Sequence, residues 1–134
     1  MAPEVLLRKL GFLRQLLEDL AAFRGASSDE VAREHYKLER LFELLGTTAG
    51  DTVQHLLAER GLTPESYRDA FRLAAEHGLL PADLAASLQE AAGMRNVLVH
   101  LYEQIDLEIL RASIEPALRD FHQFVAVLEA RLSP

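Results

Sequence analysis

The stretch GMRNVLVHLYEQID, residues 93–106, decides how this chain is to be read. Val97, Leu98, Val99 and Leu101 suit a buried helix, yet Arg95, Asn96, His100 and Tyr102 are interleaved with them. Each polar group costs free energy to bury without a partner. The residues alone leave two readings open: a helix whose Arg95 and His100 simply reach the surface while the valines and leucines pack, or one that presents these polar groups for chemistry.

Outward from that stretch, the apolar residues repeat with helical spacing. Val5, Leu6, Leu10, Leu13, Leu17 and Leu20 predict an amphipathic first helix, stopped by Gly25. Ser27 or Ser28 in SSDE reads as an N-cap with acids in the first turn. Val31, His35, Leu38, Leu41, Leu45, Val53, Leu56 and Leu57 then predict one long helix to about Arg60, with Gly46 and Gly50 inside it. Gly61 ends that helix, and Thr63 and Pro64 are expected as N-cap and N1 of a third, over about residues 64–77. Pro81 and Ala82 open a fourth that runs toward Gly93, with a continuation to Tyr102 left open. Asp106 is expected to cap a last helix, which Pro116 should kink or split. No strand-like alternation or repeat interrupts this. The fold class is all-α, an antiparallel bundle of four or five helices with short connections.

With 134 residues the chain is the size of one ordinary domain, expected to span 1–134. It lacks cysteine, which excludes disulfides and thiolate metal sites and fits a reducing cytoplasm. The N-terminus carries Glu4, Arg8, Lys9 and Arg14 among its leucines, and no apolar run approaches the ~18 residues of a membrane span. The net charge of -7 repels nucleic acid at long range. Any handling of RNA therefore needs a local arginine cluster.

The remaining sequence offers little chemistry. His35, His55, His77 and His122 are scattered, without metal-ligand spacing. Gly46 and Gly50 lack the Lys-Ser or Lys-Thr of a phosphate loop. Glu39, Arg40 and Glu43 read most simply as a solvated charged face. The 95–102 segment is different. Arginine offers an always-charged fork of donors suited to phosphate, and histidine can give or take a proton near neutral pH. Together they suffice for RNA cleavage without a metal. Geometry constrains the pair. At roughly 100° per residue, Arg95 and His100 lie ~140° apart on a regular helix. They converge only if the helix begins, bends or unwinds near Gly93, or if a two-fold dimer brings two copies together.

Arg95, four residues, His100, one residue, Tyr102 resembles the signature of the HepT toxin branch of the HEPN superfamily. YKLERLFE from Tyr36, the segment from Gly50 to Pro81 and LQEAAGMRNVLVHLYEQID from Leu88 resemble that family's pattern element by element, from about Val31 to Leu132. The departure is Leu101, where the family often has a polar residue. The resemblance implies a small α-helical homodimer, the toxin of a type VII toxin–antitoxin pair and a metal-independent ribonuclease with no cofactor. Arg95 and His100 would be the catalytic pair in the dimer cleft, lined by Asn96 and faced by Arg40 and Glu43. The partner would be a minimal nucleotidyltransferase (MNT) antitoxin that transfers AMP from ATP to Tyr102. The RNA would be messenger or transfer RNA. The competing expectation is a non-catalytic helical dimer that holds nucleotide in the same cleft and docks the nucleotidyltransferase.

Overall fold

A computed structural model of the chain describes residues 2–100 and 106–132, and over 93–100 it describes the backbone alone. The described residues form helices and connections, with no strand among them. Helix α1 (Pro3–Ala21) begins with proline in its first turn, where the missing N–H costs nothing. It buries Leu6, Leu10, Leu13, Leu17 and Leu20 along one stripe. Gly25 follows at φ 75°, a left-handed turn that side chains resist.

The long helix expected from Val31 to Arg60 is divided. Helix α2 (Ser28–Arg33) is capped by Ser27, whose hydroxyl accepts the Glu30 N–H at 3.2 Å. Glu34 leaves helical geometry at φ -108°, ψ 17°, and α3 (His35–Ala58) starts afresh. The reason is packing. Helix α2 turns toward the far end of the chain: Ser28 Oγ donates to Glu108 Oε1 at 2.8 Å, and Arg111 Nε donates to the Ala26 carbonyl at 2.9 Å. Gly46 and Gly50 lie inside an unbroken α3, as expected.

Helix α4 (Tyr67–Glu76) starts later than the Thr63–Pro64 pair suggested. Ser66 is the N-cap and accepts the Asp69 N–H at 3.0 Å, while Asp69 Oδ2 accepts the Glu65 N–H at 3.0 Å. This reciprocal pairing satisfies two backbone donors, which Thr63 achieves with neither. Helix α5 (Ala82–His100) opens after Pro81. Asp106 caps α6 (Leu107–Ala112), accepting from Glu108 and Ile109 N–H at 3.0 and 3.2 Å. The last helix is split, at Ser113, and α7 (Ile114–Ala130) carries Pro116 in its first turn. A proline ring excludes the helical carbonyl four residues earlier. For Pro116 that residue is Ala112, where α6 ends.

Arg14 pairs with Glu129, and Arg24 Nε donates to Glu115 Oε1 at 2.8 Å, so α1 and α7 run antiparallel. These pairs are exposed and worth at most about 1 kcal/mol each. A fully buried leucine is worth roughly 1.5–3 kcal/mol. The joint is therefore held by Leu10, Leu13 and Leu17 on one side and Phe124 and Leu128 on the other, all in one apolar cluster. Phe71 of α4 meets Phe124 edge-on, centroids 6.5 Å apart. Five longer helices thus form the bundle, with α2 and α6 as short braces. Among the described residues no helix is long and apolar enough to cross a membrane.

Gly50 is a contact rather than a break. A Cβ built there would lie 2.3 Å from Cδ1 of Tyr67, whose ring covers the glycine while its hydroxyl donates to Asp51 Oδ1 at 2.6 Å. Gly50→Ala should destabilise the protein by about 1–3 kcal/mol through overpacking, despite alanine's better helix propensity. In a Tyr67→Ala background the same change should cost nothing or stabilise. Urea denaturation of the four proteins in this cycle measures the coupling, and additive effects would show that the ring does not press on Gly50.

The Asp69 carboxyl is held below the usual carboxylate range, first by the Glu65 N–H and then by the Arg72 guanidinium. A lowered folded pKa means stability present above the unfolded value and lost as pH falls through the folded one. The wild-type urea midpoint should fall on acidification more than that of Asp69→Asn, and the two curves should converge below the lowered pKa.

Candidate active site

Helix α5 carries the motif positions. Its N-terminal half is fixed by burial of Leu84, Ala85, Leu88 and Ala92. The helix runs through Gly93 without a break to His100, so the restart or unwinding that would bring Arg95 and His100 together on one helix is not there. Position 95 lies one turn past Ala91. Positions 96 and 100 lie one and two turns past Ala92, on a neighbouring stripe. The side chains of Arg95, Asn96 and His100 lie outside the described set, and Tyr102 lies outside the described residues altogether.

Two recesses flank the helix just before the motif. On the Ala92 side a shallow cleft is lined by Gln54 of α3 and by Ser66, Tyr67 and Arg68 at the start of α4. Arg68 makes no ion pair among the described residues. On the Ala91 side a cavity of about 310 Å³ opens between α3, α5 and the α6–α7 junction. Phe42 and Phe121 give it apolar walls, and Ser87, Glu90, Arg119 and Asp120 its polar groups.

Asp120 was not singled out in the sequence. It is 9 % exposed, the one buried ionisable side chain among the described residues. Its signal was there: it falls on the apolar register of α7, among Ala117, Phe121 and Phe124. Arg119 Nε donates to Asp120 Oδ1 at 3.0 Å. That hydrogen bond, and then the carboxylate's charge, raise the Arg119 pKa, so the guanidinium stays charged.

Arg40 is exposed and Glu43 half-buried, and they pair with each other at 3.2 Å across one turn of α3. Neither lines the cavity, although Glu43 follows Phe42, which does. Arg14, Arg24, Arg72 and Arg111 likewise sit in ion pairs. Those guanidiniums are neutralised locally.

The model of the family described as "Ribonuclease HepT-like" matches residues 7–128. Among characterised proteins, the chain is 35% identical over 81 residues to the mRNA nuclease HepT of Shewanella oneidensis, covering 60% of this chain and 61% of that protein. It is 27% identical over 135 residues to the tRNA nuclease HepT of Aphanizomenon flos-aquae, covering 97% of this chain and 91% of that one. Among solved structures, it matches the tri-AMPylated Shewanella oneidensis HEPN toxin in complex with its MNT antitoxin with a TM-score of 0.85 at 22% identity, over 97% of this chain and 99% of that chain. A crystal structure of a toxin–antitoxin with AMP-PNP matches with a TM-score of 0.85 at 22% identity, over 95% of this chain and 98% of that chain. At that identity the likeness is one of fold.

Proposed function

The chain belongs to the HepT-like ribonuclease family, and from that premise we propose that it is the toxin of a toxin–antitoxin pair, an endoribonuclease that works without a metal in the cytoplasm. The observation that carries this reading is the spacing Arg95-Asn96-x3-His100 on an unbroken α5, inside a chain that matches the family model over residues 7–128. The whole of 1–134 acts as one HepT-like domain, and its substrate is a messenger or transfer RNA.

The chemistry follows from the two side chains. His100 takes the proton of a ribose 2′-hydroxyl, and the 2′-oxygen attacks the adjacent phosphorus. The bond from phosphorus to the 5′-oxygen breaks, and a protonated His100 imidazole of the dimer cleft returns a proton to that oxygen, leaving a 2′,3′-cyclic phosphate and a 5′-hydroxyl. Arg95 holds the phosphoryl oxygens in its donor fork and stabilises the charge that builds on them. On one regular helix the two positions are ~140° apart. A two-fold homodimer with paired α5 helices supplies an arginine and a histidine from each copy to one cleft. Asn96 lines that cleft, and Arg40 and Glu43 face it from α3.

Control falls to Tyr102. An MNT-type nucleotidyltransferase antitoxin transfers AMP from ATP to its hydroxyl. The added phosphodiester puts negative charge near Arg95 and bulk in the cleft, so RNA is excluded twice over.

Light scattering at micromolar concentration should give twice the 15.0 kDa chain mass, and a clean monomer would remove the shared cleft. His100→Ala should abolish cleavage while keeping the fold, and Arg95→Lys should lose most of it, because an ammonium cannot reproduce the guanidinium fork. Cleavage should persist in EDTA with cyclic-phosphate ends; activity that returns only with magnesium would overturn the mechanism. Incubation with the cognate nucleotidyltransferase and ATP should raise the chain's mass by one or more AMP units, and Tyr102→Phe should block the gain. A protein that binds nucleotide and the nucleotidyltransferase but never cuts RNA would match the non-catalytic alternative, which the net charge of -7 favours.

A further inference from the structure

Burying a carboxylate is costly unless donors surround it. The Asp120 side chain is only 13 % exposed, yet its only hydrogen-bond partner among the described residues is its neighbour Arg119, which reaches Oδ1. Oδ2 has no hydrogen-bond donor among the described residues, and the residue lines the cavity of about 310 Å³. A buried acceptor in a recess that Phe42 and Phe121 also line describes a site for a flat molecule with an N–H edge.

We propose that this cavity is a guanine-recognition pocket that selects the RNA base next to the cleaved phosphate. The inference rests on the RNA reading given above and adds the identity of the base. The volume is at the lower end of small-ligand pockets and suits a single nucleobase. Guanine is the common base whose Watson–Crick edge places two donors side by side, N1–H and the 2-amino group, and a carboxylate accepts both. Adenine turns the lone pair of N1 toward the same carboxylate, and uracil flanks its single N–H with carbonyl oxygens. Each leaves a buried acceptor facing an acceptor, which a desolvated site penalises. Phe42 and Phe121 supply the apolar walls. The Ser87 hydroxyl, unpartnered among the described residues, is available to the base's acceptor side. Glu90 at the mouth offers the amino group a second carboxylate.

Position and charge agree with this use. Ala91 lines the cavity, and Arg95 is one turn further along α5, so a base seated here belongs to a nucleotide adjoining the Arg95 site. Arg119 binds Asp120 with Nε, while its side chain is 68% exposed at the rim. Its remaining guanidinium donors are placed for that nucleotide's phosphate.

Two measurements test this, one of them without catalysis. With His100→Ala protein, titration of guanosine 5′-monophosphate followed by amide NMR should shift resonances of residues around Ser87 and Asp120, and guanosine 5′-monophosphate should bind about ten- to hundred-fold more tightly than adenosine 5′-monophosphate, the discrimination typical of one bidentate base contact. Equal or absent binding of the two nucleotides would overturn the pocket whatever the protein does to RNA. With wild type, kcat/KM should fall in the order guanine, inosine, adenine at one position beside the cut, inosine testing the 2-amino group without altering the protein. Asp120→Asn should collapse the guanine-to-adenine ratio toward one, a readout that simple loss of stability does not move. RNA cut with no guanine preference would leave the ribonuclease reading standing and sink this one. Guanosine binding without RNA cleavage would do the reverse. If Asp120→Asn instead converts a dimer to a monomer with no change in base preference, the carboxylate serves a second copy of the chain and the proposal is wrong.

Discussion

The burial of Leu84, Ala85, Leu88 and Ala92 along one side of α5 is the constraint from which the rest follows. Those side chains lock the helix against rotation, because turning it would expose Leu84 and Leu88 at roughly 1.5–3 kcal/mol each. An unbroken helix transmits that lock by geometry alone. Once Ala91 and Ala92 are placed, the register of positions 95, 96 and 100 is set. Position 95 follows the Ala91 stripe and positions 96 and 100 follow the Ala92 stripe, and those two alanines line different recesses.

Charge is distributed on a compatible plan. The chain is acidic overall, and arginines on α1, α3, α4, α6 and α7 are engaged by carboxylates along or across helices. Such exposed pairs add little stability. Their consequence is electrostatic: the paired guanidiniums offer polyanions less long-range attraction than free ones would.

Much of the fold was legible because helices announce themselves locally. The leucine spacing of α1, the Ser27 and Asp106 caps, the stops at Gly25 and Gly61 and the disruption by Pro116 each depend on residues within a turn or two of one another. Where the reading failed, distant contacts decided. Glu34 breaks the predicted long helix because α2 is drawn onto α6 by Ser28 and Arg111, contacts spanning 80 and 85 residues. Ser66 displaces Thr63 as a cap because Asp69 closes the turn from the other side.

The candidate site divides in the same way. The sequence by itself determined the helical class, the chemistry that Arg95, Asn96, His100 and Tyr102 offer and the family to which their spacing points. A spacing fixes residue types and angles on a helix without knowledge of neighbours. Only the tertiary structure decided that α5 passes Gly93 unbroken, that Gly50 lies under the Tyr67 ring and that Asp120 is buried beside a cavity. The physical reason is that burial belongs to pairs of surfaces. An acid on the apolar register of α7 has the same local pattern whether it faces solvent or a recess, until α3 and α5 close around it.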